Sequence, residues 1–327
     1  MPHRVPTFDD VNRAAERIAG AARRTSLLEY ENLNARAGTR IVIKPELLQR
    51  TGSFKFRGAY NRISQLSPET CPGGVVAFSS GNHAQGVAAA AQLKGLPAVI
   101  VMPDDAPAIK RANTEGYGAT VVAYDRATED RQAIAEAIAA ERGSVLVPSY
   151  DDPDIIAGQG TVGLELAQDA ADRGLSLDLL LVPCSGGGLV GGINLAFEAL
   201  SPSTGVFVVE PEGFDDHARS LRSGAREVNS AQTGSICDAL LSPQPGEITF
   251  EINRRCLKGG FVVSDDEVRA AVAYAFRELK LVVEPGGAVG LAAVLSGKVD
   301  AAGRTIGIVL SGGNVDAGQY STILEAF

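Results

Sequence analysis

The chain has 327 residues, 45% hydrophobic and 21% charged, an ordinary composition for a folded protein with a large core and room for two lobes. A formal charge of −9 and a pI near 5.0 exclude a general nucleic-acid or anionic-membrane partner, because the surface field repels phosphate except at a local site. Cys71, Cys184, Cys237 and Cys256 lack C-x-x-C spacing, and no signal core or membrane-length apolar run interrupts the chain, so a cytoplasmic protein without a disulfide framework is expected.

Thr7 and Asp10 resemble a capping box ahead of Val11, Ala14, Ala15 and Ile18, which predicts a first helix from about Phe8. A strand follows at Arg40–Lys44. From Gly74, short β-branched runs alternate with Ala-rich stretches: Val75–Phe78, helix 82–94, Ala98–Met102, helix 107–115, Thr120–Ala123, helix 128–141 and Val145–Val147. Crossovers of this length favour parallel pairing, so residues 69–149 are expected to form one small doubly wound unit.

The alternation resumes with helix 155–173, strand Leu179–Val182, helix 189–200, strand Val206–Glu210 and a helix after Phe214. Strand Phe261–Ser264, helices 265–279 and 286–296, and strand Thr305–Leu310 complete it. Segment 224–252 fits neither period and is read as irregular, lining a site. No Gly/Ser linker or internal repeat intervenes, so residues 1–68 and 150–327 are expected to form a second, larger lobe. The result is an α/β fold of two doubly wound parallel-sheet domains.

Four motifs stand at strand ends. Ser185, Gly186, Gly187 and Gly188 lie between an apolar strand and a helix, where small residues and free N–H groups suit an anion. Gly186, Gly188 and Gly191 also satisfy G-x-G-x-x-G with Glu210 about twenty residues on, so an NAD-type dinucleotide site is a rival. Lys55 lies between Phe54 and Phe56, as a Schiff-base lysine in an apolar pocket or as a snorkelling lysine at a helix start. Ser80, Gly81, Asn82 and His83 enter a helix after Val75–Phe78, with His83 either a general base or a hydrogen-bonded structural residue. Ser311-Gly312-Gly313-Asn314 ends the last strand.

Together the S-F-K, S-S-G-N-H, S-G-G-G and S-G-G-N motifs, with Ile156 to Thr161 and Val283-Glu284-Pro285, resemble the fold-type II pyridoxal-phosphate enzymes (tryptophan synthase beta-like). The likeness is specifically to the threonine/serine dehydratase and serine racemase group, over nearly the whole chain. It implies a cofactor cleft between the lobes, with the small lobe taking the substrate carboxylate. Lys55 would carry the cofactor covalently beside Phe54, Asn82 would bond its phenolic oxygen, Ser185 to Gly188 would hold its phosphate, and Ser311 would face its pyridine nitrogen. Ser80, Gly81, Asn82 and His83 would surround the substrate carboxylate, and Glu210, the Phe214 carbonyl and Asp216 would bind Mg²⁺ or Ca²⁺. Nothing in the sequence offers zinc a thiolate or imidazole set there.

The resemblance further implies loss of a β-hydroxyl from L-threonine or L-serine to give a 2-oxo acid and ammonia, in a homodimer. Racemisation is an alternative, with Ser80 acting opposite Lys55. So is dehydration of 3-hydroxyaspartate, with Arg131 meeting the extra carboxylate. Two departures bear on substrate choice: Ser185 replaces the first glycine of the usual loop, where it could add a hydroxyl donor. Cys237-Asp238-Ala239 replaces A-D-G, which is expected to change the wall by a thiol and a methyl. The chain stops soon after Ser311, leaving no room for a C-terminal regulatory domain, so isoleucine feedback is not expected.

Overall fold

The computed structural model describes residues 4–106 and 108–327. Ten strands form two sheets. β1 (Leu28–Glu29), β2 (Arg40–Pro45), β7 (Leu179–Pro183), β8 (Gly205–Pro211), β9 (Gly259–Val263) and β10 (Thr305–Leu310) make a six-stranded sheet in the order β1-β2-β10-β7-β8-β9. β3 (Val75–Phe78), β4 (Ala98–Pro103), β5 (Thr120–Tyr124) and β6 (Val145–Leu146) make a four-stranded sheet in the order β5-β4-β3-β6. All pairings are parallel except β1 with β2, as right-handed crossovers through intervening helices require.

Both sheets are covered on both faces, which explains why the strands are continuously apolar rather than alternating. Leu179 and Leu181 pack into one core under the helices Asp265–Tyr274 and Pro285–Leu295, while Leu180 and Val182 pack into another under Gly188–Leu200. In the smaller sheet Val75 and Ala77 face one cluster and Val76 the other. The helix Lys55–Ile63 joins the two units: Phe56, Ala59 and Ile63 enter the core of the four-stranded sheet, while Gly58 lies against the helix Pro153–Asp172. Among the described residues no helix is long and apolar enough to cross a membrane.

Local signals explain the helix starts. The Asp10 carboxylate accepts from the Thr7 N–H at 2.8 Å, so Asp serves the box in place of Glu, and the first helix spans Phe8–Ile18. The helix expected over 128–141 begins only at Arg131, because Asp130 caps it by accepting from the Gln132 and Ala133 N–H groups. The helix expected over 107–115 runs Ala108–Gly116, and Pro107 lies outside the described residues.

Two expectations need correction. Segment 224–252 is irregular only in part, since Glu247–Cys256 is a helix whose first N–H groups are capped by Asp151 from a distant loop, a signal absent from the local sequence. The helix expected over 265–279 is α-helical to Tyr274 and closes with a π-helical turn, Ala275–Leu279, ending on Lys280 at φ +58°.

Candidate active site

The carboxyl ends of β3, β7 and β10 open on one cleft of about 690 Å³, the place where ligands bind in parallel α/β sheets. It brings together Phe54, Lys55, Ser80 to His83, Ser185 to Gly188 and Ser311, drawn from four stretches of chain. Glu210, Phe214 and Asp216 are buried beside it.

Lys55 is brought to the cleft by the C-terminal motif. Ser53 bridges Gly312, the Phe54 N–H donates to Ser311 O at 3.1 Å, and the Gly313 N–H donates to Gly52 O at 2.9 Å. The Lys55 side chain lines the cleft, and its amine donates to Ser149 O at 2.7 Å and stands 5.3 Å from the Phe54 ring centroid. Desolvation lowers its pKa to about 8, with Glu284 opposing the shift. A neutral amine is thus accessible near neutral pH, unlike that of an ordinary surface lysine.

Asn82 opens the helix Asn82–Lys94, donating from Nδ2 to Glu284 Oε1 at 2.6 Å and accepting on Oδ1 from Asn314 Nδ2 at 2.7 Å. The buried Glu284 carboxyl is pushed up to about 7, by burial first and Asp238 next. The role of Glu284 is not legible in the sequence. Its cue was only an N-cap position before Pro285, and its neighbours come from other elements.

His83 is buried, and its Nε2 lies 2.9 Å from Val147 O, which can only accept. The ring is therefore the Nε2–H tautomer, and burial beside Lys55 lowers its pKa to about 3. Of the two alternatives for His83, this geometry favours the hydrogen-bonded structural residue.

The glycine loop is crowded from behind as well as open in front. A methyl on Gly186 would lie 2.5 Å from the Tyr150 ring, and Gly187 has φ +94°, with a methyl there 2.6 Å from His217 Cε1. Ser185 Oγ donates to Ser242 Oγ at 2.7 Å and accepts from the Ser242 N–H at 3.1 Å. Its proton is thus spent on the protein, which corrects the expectation that it could add a donor to the cleft. Cys237 is likewise not on the wall. The turn Asp238–Leu240 sends its thiol into the six-stranded sheet's core, and only Ala239 of the departing residues faces the cleft.

Behind the loop, Glu210 Oε1 and Oε2 accept the His217 and Ala218 N–H groups at 3.0 and 2.8 Å. It is fully buried. Burial and Asp216 push its carboxyl well above the usual carboxylate range. Asp216 Oδ1 accepts from Asn229 at 2.7 Å, while its buried Oδ2 has no hydrogen-bond partner among the described residues. Contrary to the expectation of no thiolate or imidazole there, Cys184, Glu210 and His217 present ligand atoms within 4.8 Å of one another. Strand pairing of Cys184 with Val209 brings the thiol there, but the imidazole is already committed to Ser185 O and Asn253.

Across the cleft, the Arg131 guanidinium lies 5.5 Å from the Phe78 ring centroid, and among the described residues no acid pairs with it. Ser80 lines the same wall, and Lys110 from the four-stranded unit pairs with Asp238.

This fold and this strand-end cleft are those of the pyridoxal-phosphate dependent enzymes, a family matched over residues 18–312, and the chain belongs to it. Its α/β architecture of parallel sheets is the fold-type II arrangement expected above. The chain is 46% identical over 322 residues to L-threo-3-hydroxyaspartate ammonia-lyase of Saccharomyces cerevisiae, covering 98% of this chain and 97% of that one. It is 39% identical to L-threonine ammonia-lyase of Thermotoga maritima, covering 98% and 78%. The structure of maize serine racemase superposes with a TM-score of 0.91 at 37% identity, covering 99% and 98%.

Proposed function

We propose that this protein is a pyridoxal-phosphate dependent ammonia-lyase acting on β-hydroxy amino acids, with 3-hydroxyaspartate preferred over L-threonine and L-serine. The observation that carries the preference is Arg131, an exposed guanidinium on the cleft wall that forms no ion pair among the described residues. The 46% identity to two L-threo-3-hydroxyaspartate ammonia-lyases agrees with it. A charge-assisted bond to a second carboxylate contributes about 1.5–3 kcal/mol. Arg131→Leu is therefore expected to lower kcat/KM for 3-hydroxyaspartate roughly 10- to 100-fold and that for threonine by less than about threefold. Equal losses on both substrates would remove the preference.

The residues fit the cofactor: a desolvated amine at Lys55, a glycine cradle where added side chains would strike Tyr150 or His217, and a neutral hydroxyl at Ser311. When bound, pyridoxal phosphate supplies an electron sink at the substrate α-carbon. Lys55 Nζ, partly neutral near pH 8, takes the α-proton. The N–H groups opening Asn82–Lys94 and Ser80 hold the substrate carboxylate, and Asn82, clamped by Glu284 and Asn314, keeps its amide fixed toward the cofactor. Ser311 places no negative charge at the pyridine end, which favours elimination over transamination. In this reading residues 1–68 with 150–327 form the cofactor domain and 69–149 the carboxylate domain.

Racemisation is the second activity that Ser80 could serve, as acid/base on the face opposite Lys55. Ser80→Ala is expected to reduce racemisation far more than dehydration of the L-substrate, measured by chiral chromatography beside 2-oxo acid release. Equal loss of both would give Ser80 a binding role only.

Mg²⁺ or Ca²⁺ is part of the same reading. The unpartnered Asp216 Oδ2 and the buried Glu210, with the Phe214 carbonyl, form an oxygen set suited to a hard ion. Mg²⁺ is expected to raise the melting temperature, EDTA to reverse the rise, and Glu210→Ala or Asp216→Ala to abolish it. A response unchanged in both variants would move the ion elsewhere.

A further inference from the structure

We propose that His217 is a positioning residue that aims the glycine loop at the cofactor phosphate. The inference rests on the reading that Ser185 to Gly188 hold that phosphate. Three successive carbonyls of the loop are tied to buried donors behind it. Ser185 O accepts from His217 Nδ1 at 3.0 Å, Gly186 O from Thr249 Oγ1 at 2.7 Å with the Gly246 N–H at 3.1 Å, and Gly187 O from the Gly191 N–H at 2.8 Å with Asn253 Nδ2 at 3.4 Å. In a trans peptide the N–H points opposite to the C=O of the preceding residue, and among the described residues no peptide is cis. Turning these three carbonyls away from the cleft therefore turns the Gly186, Gly187 and Gly188 N–H groups into it. These are the donors an anion needs.

His217 holds the first carbonyl, and its tautomer follows from its partners. A carbonyl only accepts, so Nδ1 carries the proton toward Ser185 O. Nε2 then accepts from Asn253 Nδ2 at 3.0 Å, and Asn253 Oδ1 accepts from Asn194 Nδ2 at 3.0 Å. Each group in this chain has one consistent role. The His217 main chain is itself fixed by Glu210, and the ring packs where any side chain on Gly187 would sit. The imidazole is fully buried and faces the back of the loop, so it handles no proton of the reaction.

The test uses the isosteric relation between the Asn amide and histidine Nδ1. His217→Asn keeps a donor to Ser185 O, whereas His217→Leu removes it. Full-length apoenzymes are titrated with pyridoxal phosphate and, separately, with pyridoxal, which lacks the phosphate. His217→Leu is expected to weaken pyridoxal phosphate about tenfold or more while leaving pyridoxal within about threefold, and His217→Asn to restore most of the loss. Turnover at saturating cofactor should stay within a few-fold of wild type.

Equal weakening of both ligands by His217→Leu would make the role merely structural and overturn the proposal. So would a His217→Asn variant as weak as His217→Leu. If His217→Leu does not fold, His217→Phe, which removes the donor to Ser185 O while keeping a ring in the same space, carries the same expectation of selective phosphate loss, and its failure overturns the proposal. Gly187→Ala, run in parallel, separates the two levels. If it leaves phosphate discrimination intact, the loop assignment itself fails and the proposal falls with it. If it destroys discrimination while His217→Leu does not, only the role of His217 fails.

Discussion

Lys55→Ala is expected to abolish turnover, by on the order of a thousandfold or more, and to remove the aldimine absorbance that borohydride bleaches in the wild type. The loss follows from position, since the amine is delivered to the cleft by pairing of its loop with Gly312 and Gly313. Folding should survive, and the apoprotein should gain stability. The folded pKa of about 8 lies below the ordinary lysine value of 10.5, so the fold disfavours the charged form. Between those values the unfolded chain binds more protons, and wild-type apoprotein stability therefore rises with pH across that window. Below about pH 8 the full penalty, of order 3 kcal/mol, is present, and Lys55→Ala removes it. Denaturant melts of both apoproteins at pH 7 and pH 10 would check this. A variant that keeps borohydride-reducible colour, or a wild type with no pH slope beyond that of the variant, would contradict the assignment.

Arg57→Met should be the most destabilising single change near the site. Arg57 forks onto Glu46 with Nε and Nη2 both at 2.8 Å, and onto Glu165 at 2.7 and 2.9 Å, while Lys44 meets Glu165 at 2.6 Å. Arg57, Glu46 and Lys44 are fully buried, two cations against two carboxylates. Removing Arg57 leaves buried Glu46 without its direct ion-pair partner, which costs about 3–5 kcal/mol. Because Arg57 lies two residues after Lys55 on the same helix, activity should fall with stability. Arg57→Met combined with Glu46→Leu leaves the neutral Lys44–Glu165 pair, and should recover most of the loss. Urea unfolding of the three proteins decides it, and a double variant as weak as the single one would show that packing, rather than charge pairing, sets the cost.

The sequence by itself determined the alternation of strands and helices, the parallel sheets and the four strand-end motifs. Each depends on local periodicity or on small residues where a chain must turn beneath an anion. Lys55, Asn82, the glycine loop and Ser311 were therefore legible as a set, and all line one cleft. What only the tertiary structure decided are the partners that come from elsewhere in the chain. Glu284 reaches Asn82 across 202 residues, Asp151 caps a helix 96 residues on, and His217 holds a loop carbonyl 32 residues before it. The hydroxyl of Ser185 and the thiol of Cys237 turned out to face protein rather than the cleft for the same reason. A residue's type announces which bonds it can make, but the direction in which its side chain is spent is set by which distant donors and acceptors the fold carries to within about 3 Å of it.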